Sequence, residues 1–400
     1  MSRIPFENSK FEKVRIRFLI SEKAKSKIQV GDAKPKDEAK YPFFTSGENI
    51  LSFDNFLCDN QTIFLNDGGV AGVKFYDGKV AYSDHTYAIC SKNENICFTK
   101  FLFYSILCNL NFIDFFFFKG SALRNLEKNK FKNFKIPLPP LNEQKEIAEF
   151  LDKKCEIIDK RLSNLERKIK SLKEYKKSLI SECVTKGLNP KNREFKDSGI
   201  PWIGQIPKHW EIRPLYFYFN ERKNKNLFEN EKNLLSLSYG KIIRKNIETK
   251  DGLLPENFNG YNIIEKDDIV FRLTDLQNDK VSLRTGLVKE KGIITSAYVT
   301  IKPKQKICIE FYHYLLHCYD LTKVFYNFGN GVRQNLTYKE LSKMKILVPP
   351  LNEQKEIAEF LDKKCEKIDR LNENYTKQIT ALKEYKKSLI YECVTGKKEI

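Results

Sequence analysis

His313 and His317 stand four residues apart in a run, Phe311–Tyr326, that reads as a helix. Two imidazoles at that spacing share one helix face, which is how zinc proteases hold their metal. That motif also needs a glutamate directly after the first histidine as general base, and here Tyr314 takes the place. With four histidines in the whole chain, the pair reads as two ring-shaped members of a packed domain, and no metal is expected. Other reaction centres are missing too. There is no Asn/Asp-Pro-Pro-Tyr/Phe motif for methyl transfer to an amino group; Asn189-Pro190 continues with Lys191-Asn192. There is no Gly-x-x-x-x-Gly-Lys-Ser/Thr loop to cradle phosphates, and no Pro-Asp dipeptide of the kind found in metal-dependent nucleases. The ten cysteines include no Cys-x-x-Cys pair and read as reduced, buried thiols. No catalytic residue is assigned, and the chain reads as a non-enzyme.

Side chains suited to recognition are plentiful. Reading base edges in the major groove takes forked donors and acceptors: Arg for guanine, Asn or Gln for adenine. Phosphates are met by Lys, Arg, Ser and Thr, which position without specifying. Arg333-Gln334-Asn335 places three such groups after Gly329-Asn330-Gly331, and Ser121, Arg124 and Asn125 are their first-half equivalents. Asn125 and Asn335 recur between the halves, so capping a turn is an equal reading for them. Arg333 and Gln334 differ from their counterparts Leu123 and Arg124, which suits recognition. Arg272, Thr274, Asp275, Arg284 and Thr285 are strand-end candidates in the second half; Thr45, Ser46, Ser83, Asp84 and His85 are their analogues in the first. Ordinary surface polarity is the competing reading for each.

The charge balance fits a polyanionic partner. The net charge is +19, with 36 basic against 26 acidic residues in 1–200 and 35 against 26 in 201–400. An excess spread so evenly is no basic tail and points to nucleic acid, although a Lys-rich coding bias would produce the same balance. No stretch has the 18 or more apolar residues of a membrane span, and the N-terminus lacks an apolar signal core, so a cytoplasmic location is expected.

The elements that must hold these side chains follow from an internal repeat. Pro139–Glu156, PPLNEQKEIAEFLDKKCE, recurs letter for letter at Pro349–Glu366, an offset of 210. The same offset carries Leu172–Ile180 onto Leu382–Ile390. Residues 1–120 and 210–330 share no such identity. The plan is variable–constant–variable–constant. From Asn142, read as the N-cap, to Thr185 there is no Gly or Pro, so the constant segment reads as a helix of roughly 66 Å. Leu151, Cys155, Ile158, Leu162, Leu165, Ile169 and Leu172 step by four and three, a coiled-coil seam. The second copy offers Leu361, Cys365, Ile368, Tyr375, Ile379 and Leu382, with Asn372 in place of Leu162. The two helices are expected to pair antiparallel, with the variable domains at opposite ends. The variable parts read as mixed α/β (α+β) domains. Strands are expected at Thr62–Leu65, Gly72–Tyr76, Asp268–Leu273, Thr285–Val288 and Ala297–Ile301, and helices at Phe98–Leu110 and Phe311–Tyr326. The resulting segments are 1–138 and 213–348 for the globular domains, 139–188 and 349–400 for the helices, and 189–212 for a linker.

With these residues in view, the chain resembles the specificity subunit of type I restriction–modification systems. The resemblance rests on IPLPPLNEQKEIAEFLD at Ile136–Asp152 and its counterpart at Ile346–Asp362. It rests also on the lead-in KDSGIPWIGQIPKHWEIRPL at Lys196–Leu215, on YPFFTSG at Tyr41–Gly47, and on GSALRNL and GVRQNL ahead of the two helices. The N-terminal half has no clear lead-in; Phe11-Glu12 with Val14-Arg15 reads as a degenerate remnant of Trp210-Glu211-Ile212-Arg213. The resemblance implies two target recognition domains, each reading one half of a bipartite double-stranded DNA site. It implies a helical pair that sets the gap between the halves and docks two methyltransferase subunits, and two restriction subunits that complete the complex. S-adenosylmethionine, ATP and Mg are expected on those partners and no cofactor on this chain.

Eighteen unchanged residues exceed what a seam dictates, about two positions in seven. One helix side, Gln144, Ile147, Ala148 and Leu151 with Gln354, Ile357, Ala358 and Leu361, is therefore the expected subunit-docking surface; a recent duplication is the competing explanation. The alternative function is a coiled-coil protein-binding scaffold without sequence-specific DNA recognition.

Overall fold

The central strand of the first globular part is Thr62–Asn66, a run of β-branched and large apolar residues. The structure, a computed structural model, describes residues 5–121, 123–247, 255, 257–276, 283–327 and 335–400. Strand Thr62–Asn66 sits in an antiparallel sheet ordered Ile20–Glu22, Thr86–Ser91, Thr62–Asn66, Val73–Tyr76. Successive side chains leave opposite faces of a strand. Ile63 and Leu65 accordingly enter the larger core, while Phe64 enters a smaller one with Phe44, Val80, Tyr82 and Ala88. That smaller core is covered by a second sheet ordered Leu51–Phe53, Tyr41–Phe44, Lys79–Tyr82, Cys58–Asp59.

The second half builds the same central sheet without sequence identity, and where the first half has a second four-stranded sheet it has two strand pairs, Leu235–Ser238 with Lys241–Arg244 and Asn262–Ile264 with Gly292–Ile294. Its central sheet runs Phe219–Glu221, Val299–Pro303, Ile269–Phe271, Thr285–Leu287. Ile269 and Phe271 face the larger core and Val270 the smaller. The registers correspond: Ile63 pairs with Ile89 as Ile269 pairs with Ile301. Each domain is closed by a strand pair at its root, Lys13–Arg15 with Lys135–Pro137 and Glu211–Pro214 with Lys345–Val348. Arg15 lies opposite Lys135, and Pro214 opposite Lys345, its repeat mate. The N-terminal remnant therefore aligns without a gap: Phe11 and Glu12 correspond to Trp210 and Glu211, but Lys13, not Val14, corresponds to Ile212. A Cβ added to Gly396 would meet the Phe11 ring, as one added to Gly187 would meet Trp210.

The expected helix Phe98–Leu110 is two helices, Thr99–Leu107 and Leu110–Phe117, bent by 69°. The cause is Asn109. Its side-chain Nδ2 donates to the Ser105 carbonyl at 3.1 Å, while its backbone N–H turns to Ile106. That is the local competition with helix bonding that asparagine introduces. The repeat mate is Tyr319, and helix Ile309–Leu321 passes through it unbroken. No single helix among the described residues is long and apolar enough to cross a membrane.

The long helices are Leu141–Lys186 and Leu351–Val394. The Pro140 and Pro350 carbonyls accept the first helical bonds, from Gln144 and Gln354 at 3.0 Å. The prolines are thus the caps, and Asn142 lies within the first turn instead of capping it. Two compact units result, Met1–Glu166 with Tyr375–Ile400, and Arg167–Asn374. In the first, Leu151, Cys155 and Ile158 share a core with Leu389, Ile390, Cys393 and Val394. In the second, Ile180, Cys183 and Val184 share one with Ile357, Ala358, Leu361 and Cys365. Inside each unit the helix segments run antiparallel and carry one repeat-related ion pair. Lys386 meets Asp159 at 2.7 Å in the first, and Lys176 meets Asp369 at 2.6 Å in the second. Each lysine continues the seam spacing, laying its stem along the seam with its charge on the aspartate.

Identical sequence does not mean identical surroundings. Glu143 is exposed, but Glu353 takes Arg193 at 2.6 Å, His209 at 2.7 Å and the Trp210 indole N–H at 3.0 Å. Burial works against the Glu353 charge, but those donors outweigh it and hold the carboxyl below its usual range.

Candidate nucleic-acid interface

Beyond the central strand of the first domain, the chain turns into the loop Asp67–Ala71, and distant segments meet there. The Asp67 N–H donates to the His85 carbonyl at 3.0 Å, and the Ser46 hydroxyl donates to the same oxygen at 2.5 Å. The Gly69 N–H donates to the Arg124 carbonyl at 2.7 Å, and the Leu126 N–H to the Asp67 carbonyl at 3.0 Å. Asp114 completes the knot, accepting from the Ala71 N–H at 2.8 Å and from the Arg124 guanidinium at 3.0 Å. Ser46, His85, Arg124 and Asn125, far apart in sequence, are thus gathered on one loop cluster. Ser121 is exposed in the adjoining loop.

Two first-half candidates are corrected. Thr45 is buried, its hydroxyl accepting from the Gly47 N–H at 3.0 Å. Ser83 is fully buried and bonded to the Thr86 hydroxyl at 2.9 Å. Both shape turns and offer no surface. Asp84 is half-buried beside the exposed His85, at 3.9 Å. Lys74, which sequence reasoning missed, holds the Thr45–Gly47 turn through the Thr45 carbonyl at 2.8 Å and the Gly47 carbonyl. Burial pushes its ammonium pKa down, with Glu48 opposing.

The second domain repeats this loop with other means. The Leu336 N–H donates to the Leu273 carbonyl at 3.0 Å, as Leu126 does to Asp67. The Asp275 N–H donates to Asn335 Oδ1 at 2.8 Å. Asp275 (φ 55°) and Gly69 (φ 83°) hold the same left-handed place in their loops. Asn125 and Asn335 therefore frame the loop. Arg284 is a further correction: it is completely buried. Its guanidinium donates to the carbonyls of Arg272 (3.0 Å), Thr274 (2.9 Å) and Asp275 (3.4 Å) and to the Tyr326 hydroxyl (3.1 Å). It braces the loop from inside. Thr285 is buried in its strand as well. Arg272, Thr274 and Asp275 remain half-buried on the loop; Arg333 and Gln334 lie outside the described residues.

The expected docking side is also turned inward. Gln144, Ile147, Ala148 and Leu151, and Gln354, Ile357, Ala358 and Leu361, are all buried. Gln144 Oε1 accepts from the Phe98 N–H at 2.8 Å, and its amide donates to the carbonyls of Ile96 and Pro139. Gln354 does the same for the Cys308 N–H at 3.0 Å and the Pro349 carbonyl at 2.8 Å. Tyr104 donates to Asp152 at 2.5 Å and Tyr314 to Asp362 at 2.7 Å. These residues seat each globular domain on its helix. The offset of 210 from Tyr104 to Tyr314 was a signal for this, lost among unlike neighbours.

The family model for the type I restriction modification DNA specificity domain matches the chain twice, over residues 8–173 and 207–381. The chain belongs to that family. It is 29% identical over 381 residues to the type I restriction enzyme MjaVIII specificity subunit of Methanocaldococcus jannaschii, covering 90% of this chain and 82% of that protein. It is 26% identical over 378 residues to the putative MjaX specificity subunit of the same organism, covering 92% and 82%. Its fold matches a chain of a solved structure described as the structural basis of complex assembly and conformational transition of the type I R-M system. That match has a TM-score of 0.64 and 14% identity, with 96% and 97% covered. Each specificity domain thus comprises the paired sheets, the gathered loop and the helix on which the domain is seated.

His313 and His317 pack into the second specificity domain. No group of three His, Cys, Asp or Glu among the described residues is placed to hold a metal. Burial pushes His313 down to about 3, with His317 and Lys289 adding to it, and His317 down to about 4, with Lys176 adding. An unfolded histidine titrates near 6.5. Below that pH the unfolded state therefore binds more protons, and stability falls as pH drops from about 6.5 toward 4. Asp320, raised to about 6 mainly by burial, runs the other way over the same window. The two histidines outweigh it. Each histidine is half-buried as a whole residue, so a cost of about 1–2 kcal/mol per histidine at pH 5 is expected. Thermal melts of the chain from pH 7 to 5 should show the loss, and His313→Phe with His317→Leu should flatten it. A slope unchanged in the double variant would refute the assignment.

Proposed function

We propose that this chain is the DNA-specificity subunit of a type I restriction–modification complex. Each specificity domain reads one half of a bipartite duplex site, and the paired helices fix the gap between the halves. The observation that carries this reading is one loop architecture built twice, at the same place on the same sheet, with different side chains on it. A shared frame with unlike loops is what reading two unlike half-sites requires. The net charge of +19 supports a polyanionic ligand. The chain itself performs no catalysis. Two adenine methyltransferase subunits dock on the repeated helices and bring S-adenosylmethionine, and two restriction subunits bring the ATP- and Mg-dependent steps.

The docking surface moves outward from the buried side. Lys145, Glu146, Glu149 and Lys153 are exposed, as are their identical counterparts Lys355, Glu356, Glu359 and Lys363. They present one charged pattern twice, suited to one partner used twice. The test of the whole reading is a map of genomic N6-methyladenine with and without this chain beside an active methyltransferase. Loss of one split motif, two short halves around a fixed gap, is the expected result. No change in any motif, with the chain well expressed, overturns it.

A further inference from the structure

The smaller core of the second specificity domain is flanked by a two-stranded hairpin, Leu235–Ser238 paired to Lys241–Arg244 with Ser238 opposite Lys241. Its turn is Tyr239-Gly240, both left-handed, with φ 47° and 76°. Two-residue turns of this kind favour Asn-Gly or Asp-Gly, and a bulky ring at the first place is conformationally disfavoured. Among the described residues, nothing in its own domain rewards the ring in return. Tyr239 is 88% exposed, and it makes no ring contact or side-chain hydrogen bond among the described residues. An aromatic residue at a costly backbone position, with no contact among the described residues to reward it, is suited to a partner outside the chain.

The surroundings say which partner. Lys241, Arg244 and Lys245 follow the turn and are exposed, with Arg244 bonded to Glu290. The hairpin is also tied to the reading loop. A Cβ on Gly240 would lie 3.1 Å from the Leu283 side chain, next to the buried Arg284 that braces Arg272–Asp275, and one on Gly286 would run into Leu237 and Ile242. Tyr239 therefore projects from the platform that carries the loop. In the first domain the corresponding turn, Thr45-Ser46-Gly47, has no aromatic residue and is folded back by Lys74 and the His85 carbonyl.

We infer that Tyr239 is a base-contacting residue of the second specificity domain, carried by its two-stranded ribbon into a groove of duplex DNA and packing its ring on base edges. A ribbon of this width fits the major groove, and a rigid ring gives large contact area for few ordered torsions. The inference rests on the DNA-reading function proposed above. Its test uses the complex of the full chain with its methyltransferase subunits. Binding is measured by fluorescence anisotropy to the cognate duplex and to duplexes with either half-site scrambled, across a salt series. Tyr239→Ala is expected to weaken cognate binding by about 10- to 100-fold. Binding to the duplex with a scrambled second half-site should not change, nor should the salt slope, because no phosphate contact is lost. Tyr239→Asn, which suits the turn better than tyrosine, should lose as much, which excludes misfolding as the cause. Cognate affinity within twofold of wild type in either variant overturns the inference alone. So does an equal loss on all duplexes with a shallower salt slope. A wild-type complex that does not prefer the cognate duplex overturns the underlying reading and this inference with it.

Discussion

Replacing residues 13–137 by the corresponding segment of a family member with another half-site is expected to change one half of the methylated motif and nothing else. The physical reason is the root of the domain. Lys13–Arg15 and Lys135–Pro137 are paired strands, so the replaced segment begins and ends at neighbouring points. The frame then sees no change in chain path. What the donor must supply is a backbone N–H where Phe98 meets Gln144, a hydroxyl where Tyr104 meets Asp152, and an apolar face to share the core with Ile147, Leu151 and Cys155. Each wrong base pair costs a DNA reader about 1–3 kcal/mol. A half-site of several pairs therefore switches by several orders of magnitude in preference. The methylome of cells carrying the exchange is the measurement. A change in both halves, or in the gap, would mean that the domains do not read independently.

Arg284→Met should be the most damaging single change in the second specificity domain. Methionine fills much of the volume but leaves three carbonyls and the Tyr326 hydroxyl without their donor. It also removes a positive charge near the buried Asp320, whose carboxylate accepts from the Arg284 backbone N–H. Deleting one member of such a buried network costs about 3–5 kcal/mol. A large drop in thermal stability is expected, with new protease cutting near Arg272–Leu276 and loss of discrimination at the second half-site. Arg124→Met in the first domain is the control. Arg124 and its partner Asp114 are both partly exposed, and an ion pair of that kind is worth about 0–1 kcal/mol. Equal damage from the two variants would refute the bracing role.

The difference between these arginines also marks where sequence reading reached its end. The repeat, the helix it encodes and the central strands were legible because period and identity are local properties. Thr62–Asn66 and Ile269–Phe271 lie where their apolar runs predicted. Residue type also pointed toward Ser46, His85, Arg124 and Asn125, which the fold does gather. It could not separate an arginine on the surface from one inside, because Arg284 is held inside by partners nine or more residues away. The Asn109 bend was missed for a similar reason: a side chain competing with the backbone leaves the apolar run intact. The eighteen-residue identity is plain in the sequence, but the helix side expected to dock a partner is buried in the chain itself, since nothing in the identity tells which face the globular domain covers.

Burial divides that identity into two records of ancestry. Gln144, Ile147, Ala148 and Leu151 are held by contacts inside their own unit, so purifying selection preserves them however old the duplication is. Lys145, Glu146, Glu149, Lys153, Lys154 and Glu156 are exposed in the first copy, and their counterparts in the second. Beyond Lys154 and Lys364 lying over the Phe150 and Phe360 rings and the surface ion pairs of Glu156 and Glu366, little inside the chain preserves these, yet they too are unchanged. The silent codon positions of the two gene segments hold the answer. If they have diverged while the exposed amino acids have not, an external surface has been under constraint for a long time. If they match as closely as the protein does, the segments were copied or converted recently, and the exposed residues have simply not had time to drift.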